Sequence, residues 1–516
     1  MGRGASSGRR GTRFTRPQSR VRDARSAELY GPDFVARVRA QSAPQCLGLD
    51  GAQYLPPPPG LAQLEYRCDM PGLTRFAGMP AFMRFCFGLG LAERVAALPM
   101  TKRSSVYSPG KLCEVVVELL VAGLERVSHV DFVTHDEGLC EAVGLPRLPD
   151  QATLSRFFGD ANNSAVSHLR HANRELSRQT VALQTGRRRL VVDGDTRVVG
   201  VYGKQEGAKA SPRNNGDPQF TFEITTLRNT HDILDGGLLE GVTHPAPLFA
   251  ERFATVVAQL GSQTDELIWC GDAAWYSSEI LRTIEAADAD DAVPCGCKYA
   301  IRAQMTDHLL TAVRTLNEEA WRPCEEDMQI AEVRHAFTRT RSGQDATKRR
   351  YVVTRKALPH KPPPGGQGVL VPQPRYEYWA IVTNLTWKPR QVLTLYNHRA
   401  TVETILKEGA LGFHMDSLPS ASFAGNGLYC QLLILAYNHL NLFRQLCLPA
   451  EQSRHFVQSL RPMVLAVPGR VEHEAQQLVI RCEPRGPQVK LLPQIMAALQ
   501  RWLTPAPDLR ATALAT

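Results

Sequence analysis

RRRLVVDGDTRVVGVYG, from Arg187 to Gly203, is where the periodicity of the chain changes. Upstream, apolar residues recur every three or four positions. Here Leu190, Val191 and Val192 run straight into an acid-glycine-acid step and a second Val pair. A short β-branched run of this kind reads as a buried strand, with Asp193 and Asp195 near its end or middle. FTFEITTL at 220–227 reads as another strand, LFAERFATVVAQL as an amphipathic helix, and DELIWCGD as a short buried strand that delivers Asp272 at its end. SSEILRTIEAADA then reads as a helix capped by Ser277 or Ser278. Strand, strand, helix, strand, helix predicts an α/β core. In open α/β sheets functional groups gather at the carboxyl ends of strands, so acids from the two motifs converge if their strands are neighbours.

Working outward, the residues before this core are helical in pattern. In SPGKLCEVVVELLVAGLERV, Leu112, Val115, Val116, Leu119 and Leu120 recur at helical intervals. Residues 72–180 are therefore expected to form an all-helical N-terminal domain for DNA binding or dimerisation. Within it LPDQATLSRFFGD (148–160) predicts a short helix, capped by Asp150 or Thr153, that displays Arg156 either to a DNA groove or to solvent. Residues 187–294 are the first part of the core. VRHAFTRT, KRRYVVTRK and YEYWAIVTNL, with the breaker KPPPGGQG at 361–368, make 295–390 a mostly β insertion. Residues 391–516 complete the core and add C-terminal helices, among them the long apolar and buried AGNGLYCQLLILAYNHLNLFRQL.

A chain of 516 residues implies more than one domain. Hydrophobic residues are 43% and charged residues 22%, and no apolar run reaches the roughly 18–20 residues that cross a bilayer. This is the composition of a soluble, cytoplasmic protein, with no membrane partner expected. Residues 1–25 hold eight Arg and one Asp, leaving only +2 of the net +9 for the remainder. With the YLPPPPG patch that follows, residues 1–60 read as a disordered basic arm suited to phosphate backbones. Twelve Cys without a CxxC pair fit buried apolar roles in a reduced compartment better than zinc binding.

A third carboxylate stands in YNHRATVETILK, residues 396–407, where Tyr396, Arg399, Glu403 and Lys407 fall along one face if the run is a single helix. One acid of the VVDGDT motif, Asp193 or Asp195, aimed with Asp272 and Glu403 at one point would make three carboxylates repel unless a divalent cation compensated them. Oxygen-only donors favour Mg²⁺, with Mn²⁺ as a substitute, and two such ions support in-line phosphoryl transfer. Arg399 and Lys407 would then neutralise phosphates, and Tyr396 would stack or hydrogen-bond beside the reacting end. The plainer reading is a pair of solvated i,i+4 ion pairs worth about 0.3–0.5 kcal/mol each, with Asp193 as a strand-end turn residue.

LVVDGDTRVVGVYGKQEG, LIWCGDAAWYSSEIL, YNHRATVETILK and GLYCQLLILAYNHL together resemble the bacterial insertion-sequence transposases of the DDE type, which carry a Tyr-x-x-Arg-x-x-x-Glu signature. The resemblance spans roughly residues 75–445. It implies a ribonuclease-H-like catalytic core with a β-rich insertion, and Asp195, Asp272 and Glu403 as catalytic metal ligands. Asp195 is preferred to Asp193 because the family's first Asp is commonly followed by a hydroxylated residue, here Thr196. The signature often continues to a Lys seven residues after the Glu, where this chain has Ala410; Lys407 is the nearest substitute. The implied activity is cleavage and strand transfer at terminal inverted repeats of double-stranded DNA, in the bacterial nucleoid, by a homodimer that synapses two ends. Two alternatives are a transposase-derived DNA binder that no longer cuts and, from VVDGDT alone, a haloacid-dehalogenase-type phosphatase.

Overall fold

The computed structural model describes residues 46–47, 53–54, 64–100, 106–182, 189–243, 246–325, 327–340, 343–358, 376–475 and 477–503. The chain forms two units, Met1–Pro71 and Gly72–Thr516. In the first, Cys46–Leu47 pairs antiparallel with Gln53–Tyr54. The Arg-rich arm, the four-proline run and the KPPPGGQG breaker lie outside the described residues.

The second unit is organised around one large sheet. Strands β1 (Arg189–Gly200), β2 (Pro218–Leu227) and β3 (Asp232–Leu239) form an antiparallel meander. Strands β4 (Glu266–Gly271) and β5 (Gly296–Ala303) then add in parallel on the other side of β1. The resulting order 3-2-1-4-5, with only the second strand antiparallel to the rest, is the ribonuclease-H-like arrangement. Beyond β5 the sheet continues through β9 (Tyr376–Thr383), β8 (Gly343–Ala357), β7 (Met328–Thr340) and β6 (Arg322–Glu325), all antiparallel neighbours. The β-rich segment therefore extends the core sheet rather than forming a separate layer, and its first strand, β5, belongs to the core itself.

Alternation along β1 sends Leu190 and Val192 to one face, among Phe249, Phe253, Trp269 and Trp275, and Val191 to the other, among Ile268, Cys270, Val392 and Leu393. The first face is covered by helices in 249–260 and 278–288, and Ser277, not Ser278, caps the latter by accepting from Glu279 N. Ser278 instead donates its hydroxyl to Asp345.

The N-terminal segment is mostly helical, though not entirely as expected, since Leu73–Thr74 is a short strand paired with Gly469–Arg470; its helices are α1 (Met79–Gly88), α2 (Leu91–Ala96), α3 (Pro109–Ala122), α4 (Glu137–Val143), α5 (Gln151–Gly159) and α6 (Asn163–Ala182). These helices share one hydrophobic core with later elements. After α7 (Phe249–Leu260), α8 (Ser278–Asp288), α9 (Asp307–Arg314), α10 (Pro389–Asn397) and α11 (Ala400–Gly412) comes α12 (Phe423–Cys447), buried almost all round. A helix apolar on every side belongs at the centre of a protein. Its few amides are matched to the neighbouring strand. Asn438 bonds both Ile233 N and Ile233 O, at 2.9 and 2.8 Å, and Gln431 donates to Gly236 O. These side chains satisfy the outer backbone of β3, which would otherwise be an open sheet edge. Among the described residues no helix is long and apolar enough to cross a membrane.

Candidate active site

The parallel pairing of β1 with β4 sets Asp193 opposite Cys270 and Gly194 opposite Gly271. The next residues on the two strands are Asp195 and Asp272, so the register alone brings these two carboxylates side by side. The glycines before them have a shared cause. A Cβ on Gly194 would lie 2.7 Å from the Trp275 ring, and one on Gly271 would lie 2.7 Å from Trp275 Cβ. The fully buried Trp275 packs under both strand ends, and only glycine leaves it room. Asp272 turns the chain as well, since its Oδ1 accepts from Ala274 N at 3.0 Å.

Asp193 and Asp195 share a face of β1 but not an environment. Asp193 is fully buried and clamped by Arg228, whose Nη2 and Nε donate to its two oxygens at 2.5 and 2.8 Å. Arg228 Nη1 donates to Leu395 O at 2.6 Å and so ties the pair to α10. Burial pushes the Asp193 carboxyl up and Arg228 pulls it down; with both oxygens occupied by one guanidinium, this acid is structural. A phosphatase-type nucleophile at Asp193 is excluded by the same clamp. Sequence reasoning missed Arg228, and the LRNT turn that carries it has no motif to mark it.

Asp195 is 9% exposed. Burial raises its carboxyl pKa, Arg399 and the Thr196 backbone oppose this, and Asp272 and Glu403 raise it further. The three acids thus feel one another electrostatically. Arg399 stands among them: its Nη2 lies 3.1 Å from Asp195 Oδ1 and donates to Gly194 O at 3.3 Å, and its Nη1 lies 3.6 Å from Glu403 Oε1. The Arg399 side chain is only 8% exposed, so of the two solvated i,i+4 pairs considered from spacing, Arg399–Glu403 forms, but with a buried cation that also serves Asp195. Its buried Nε has no hydrogen-bond partner among the described residues.

The single helix expected over YNHRATVETILK is two. Helix α10 ends at Asn397 and α11 begins at Ala400. Between them Arg399 N, Thr401 N and Val402 N bond three residues back rather than four, which tightens and interrupts the helix. Tyr396 therefore closes one helix while Arg399 opens the next with its side chain turned under β1. The Tyr396 phenol is pushed up to about 12 by burial and by Asp272 and Cys270, against Arg399 and Arg302. Arg302, exposed on β5, is a second cation at this site that the sequence pattern did not reveal.

On α11, Glu403 and Lys407 both face solvent, whereas Ala410 is buried. A Lys at 410 would point into the protein, so Lys407 is the cation this helix presents beyond Glu403. Arg156 lies far from this constellation in sequence and on the exposed side of α5; its Nε donates to Ala152 O of its own helix at 3.1 Å. Asp150 is the cap there, with Oδ1 accepting from Thr153 N at 2.8 Å.

The donor set of Asp195, Asp272 and Glu403 is all carboxylate, the chemistry a hard divalent cation requires. Among the described residues no three His, Cys, Asp or Glu side chains already form a metal cage. Glu403, 67% exposed, is turned outward, and the Arg399 guanidinium supplies positive charge between it and Asp195.

A family model described as transposase DDE domain, group 1, matches residues 72–504. No curated protein sequence matches the chain. Among solved structures, a cryo-EM structure of a piggyBac transposase synaptic complex with hairpin DNA has 10% sequence identity and a TM-score of 0.41, over 84% of this chain and 83% of that chain.

Proposed function

The chain belongs to the group 1 family of DDE-domain transposases, and on that premise we propose that Asp195, Asp272 and Glu403 are its catalytic carboxylates and metal ligands. Enzymes of this family cut and transfer DNA strands with divalent metal ions. For this chain the preferred ion is Mg²⁺, with Mn²⁺ able to substitute, and two ions are expected. Bound there, the metal supplies an activated attacking oxygen and charge stabilisation at the leaving oxygen. The substrate is double-stranded DNA bearing the terminal inverted repeats of an insertion sequence in a bacterial cell, and two copies of the chain act together to hold two ends.

The observation that carries this reading is the register of Gly194 on Gly271, which sets Asp195 beside Asp272, with Arg399 linking Asp195 to Glu403. Around these acids the chain's own groups have separable roles. Asp195 and Asp272 are fixed by strand ends and by the Trp275 packing beneath them. Glu403 rides on the exposed face of α11, with its Oε1 3.6 Å from Arg399 Nη1. Arg399 and Lys407 neutralise phosphate oxygens, and Tyr396 borders the strand being cut. Arg156 offers a further phosphate contact from α5.

The test is cleavage of a labelled duplex from the flanks of the gene with Mg²⁺ or Mn²⁺, comparing the wild type with Glu403→Gln. Products ending in a 3′-hydroxyl that vanish in the variant are expected. Equal cleavage by Glu403→Gln would remove this residue from the mechanism, and tight binding without cleavage under either metal would favour a DNA binder that no longer cuts.

A further inference from the structure

A groove of about 680 Å³ runs along the exposed side of α10, lined by Arg189, Trp387, Lys388, Arg390, Gln391, Thr394, Leu395 and His398. Three of these residues are permanent cations and none is an acid. Arg189 stacks over the Trp387 ring at 4.3 Å and is ion-paired to Glu266, so its charge is partly spent. Lys388 and Arg390 are exposed, and among the described residues neither makes an ion pair.

The position of the groove gives this charge a direction. Arg189 opens β1, whose sixth following residue is Asp195, roughly 20 Å further on at 3.3 Å per residue. Helix α10, its nine residues covering about 13 Å, packs on the same face of the sheet as Val191 through Val392 and Leu393, over β5, β7 and β8. It enters at Lys388 and Arg390 and ends beside Arg399. Leu395 forms part of the groove wall, and its carbonyl accepts from Arg228, which anchors the helix to Asp193. Successive phosphates of one DNA strand stand about 3.4 Å apart along the duplex axis, so this length matches roughly four to six of them.

We propose that this groove is the track along which duplex DNA lies on its way to the carboxylates, its phosphate backbone held by Lys388 and Arg390, with the Gln391 amide as a neutral hydrogen-bonding step between them and Arg399. The inference rests on the reading of the chain as an enzyme acting on DNA. The complementary case is the groove of about 470 Å³ across the insertion strands, lined by Glu285, Glu332, Arg334, Lys348, Arg349 and Arg350 among others. There Arg349 pairs with Glu285 and Arg350 with Glu332, while Arg334 and Lys348 are exposed and make no ion pair among the described residues, so this groove is the control for free charge that does not lie along α10.

The experiment measures the affinity of the full-length chain for a labelled 30-base-pair duplex against salt, in buffer without divalent cations. Each phosphate contact contributes about 0.9 to the slope of log K on log salt. The double variant Lys388→Gln/Arg390→Gln is expected to lower that slope by about 1.8, so the wild-type advantage shrinks about tenfold between 50 and 200 mM salt. Arg334→Gln/Lys348→Gln leaves the slope unchanged, and Thr394→Lys, a gain of charge on the same face, steepens it by about 0.9. Duplex binding with a slope untouched by both α10 variants overturns the track while the DNA reading stands. A wild-type chain that binds no duplex at any salt overturns both.

Discussion

Asp193 and Asp195 stand two residues apart on one face of one strand, and their surroundings differ in kind. Asp193 has no exposed surface, and a single guanidinium takes both its oxygens. Asp195 sits at the opened end of the β1–β4 pairing, with one cation shared among several acids and two further carboxylates raising its pKa. A buried acid with a dedicated partner is locked into structure; an acid whose charge is incompletely compensated is available to a ligand that brings positive charge. The difference comes from position: β1 and β4 pair up to Gly194 and Gly271, and only beyond that register can a side chain reach a shared opening.

The sharpest way to break this contrast is to neutralise each acid in turn. Asp195→Asn and Asp272→Asn are each expected to lower DNA cleavage on the order of a thousandfold or more, with little change in thermal midpoint. Single-turnover cleavage beside a melting curve would check both halves. A fully active Asp195→Asn would exchange the roles of the two acids on β1.

Asp193 should behave in the opposite way. Arg228→Met leaves a buried carboxylate without its partner, and breaking such a pair costs about 3–5 kcal/mol. Thermal unfolding of Arg228→Met, Asp193→Asn and the double variant checks it. The double variant should recover much of the loss, because it leaves no uncompensated charge in the core. If Arg228→Met melted like the wild type, the clamp would not hold the strand to α10.

Much of this was legible in the sequence, and the limits have a common cause. Periodicity tells which face a residue occupies, so the strands bearing Asp195 and Asp272 and the buried helix at 423–447 could be read directly. It does not tell which strands are neighbours or in what register. Gly194 and Gly271 carry no signal in isolation; their shared reason is a tryptophan that passes beneath both. The α10–α11 break was hidden because its residues keep helical spacing while Arg399 is drawn inward by Asp195. Arg228 escaped because a long side chain reaching across a strand leaves no local pattern. The segment 295–390 read as an insertion by composition, yet its strands simply continue the core sheet, a fact of hydrogen bonding that composition cannot encode.

A smaller test probes the floor under the active acids. In Gly194→Ala the added methyl would meet Trp275 at 2.7 Å and Trp269 at 3.1 Å, both rings fully buried. Overpacking of this kind costs about 1–3 kcal/mol. Because the strand end must shift to relieve it, cleavage should fall along with the thermal midpoint. Loss of stability without loss of cleavage would mean that Trp275 supports the fold but does not position Asp195.

An effect seen only as a pH dependence is expected far from the site, at a third buried acid. Glu118 on α3 has no exposed surface, and among the described residues neither of its oxygens has a hydrogen-bond partner. Burial pushes its pKa well up, with Asp136 and Glu114 adding to this and Lys111 opposing it. A raised pKa in the folded chain means that the folded state holds the proton after the unfolded state has released it. Stability from this group is therefore present below the unfolded pKa and is lost as pH rises toward the folded one. Glu118→Leu should remove that slope, at most about 1.4 kcal/mol per pH unit, so the variant gains on the wild type at pH 8 relative to pH 5. Parallel melting temperatures across that range would show that Glu118 titrates no differently in the folded and unfolded chain, and the contrast among paired, open and unpartnered acids would reduce to the two on β1.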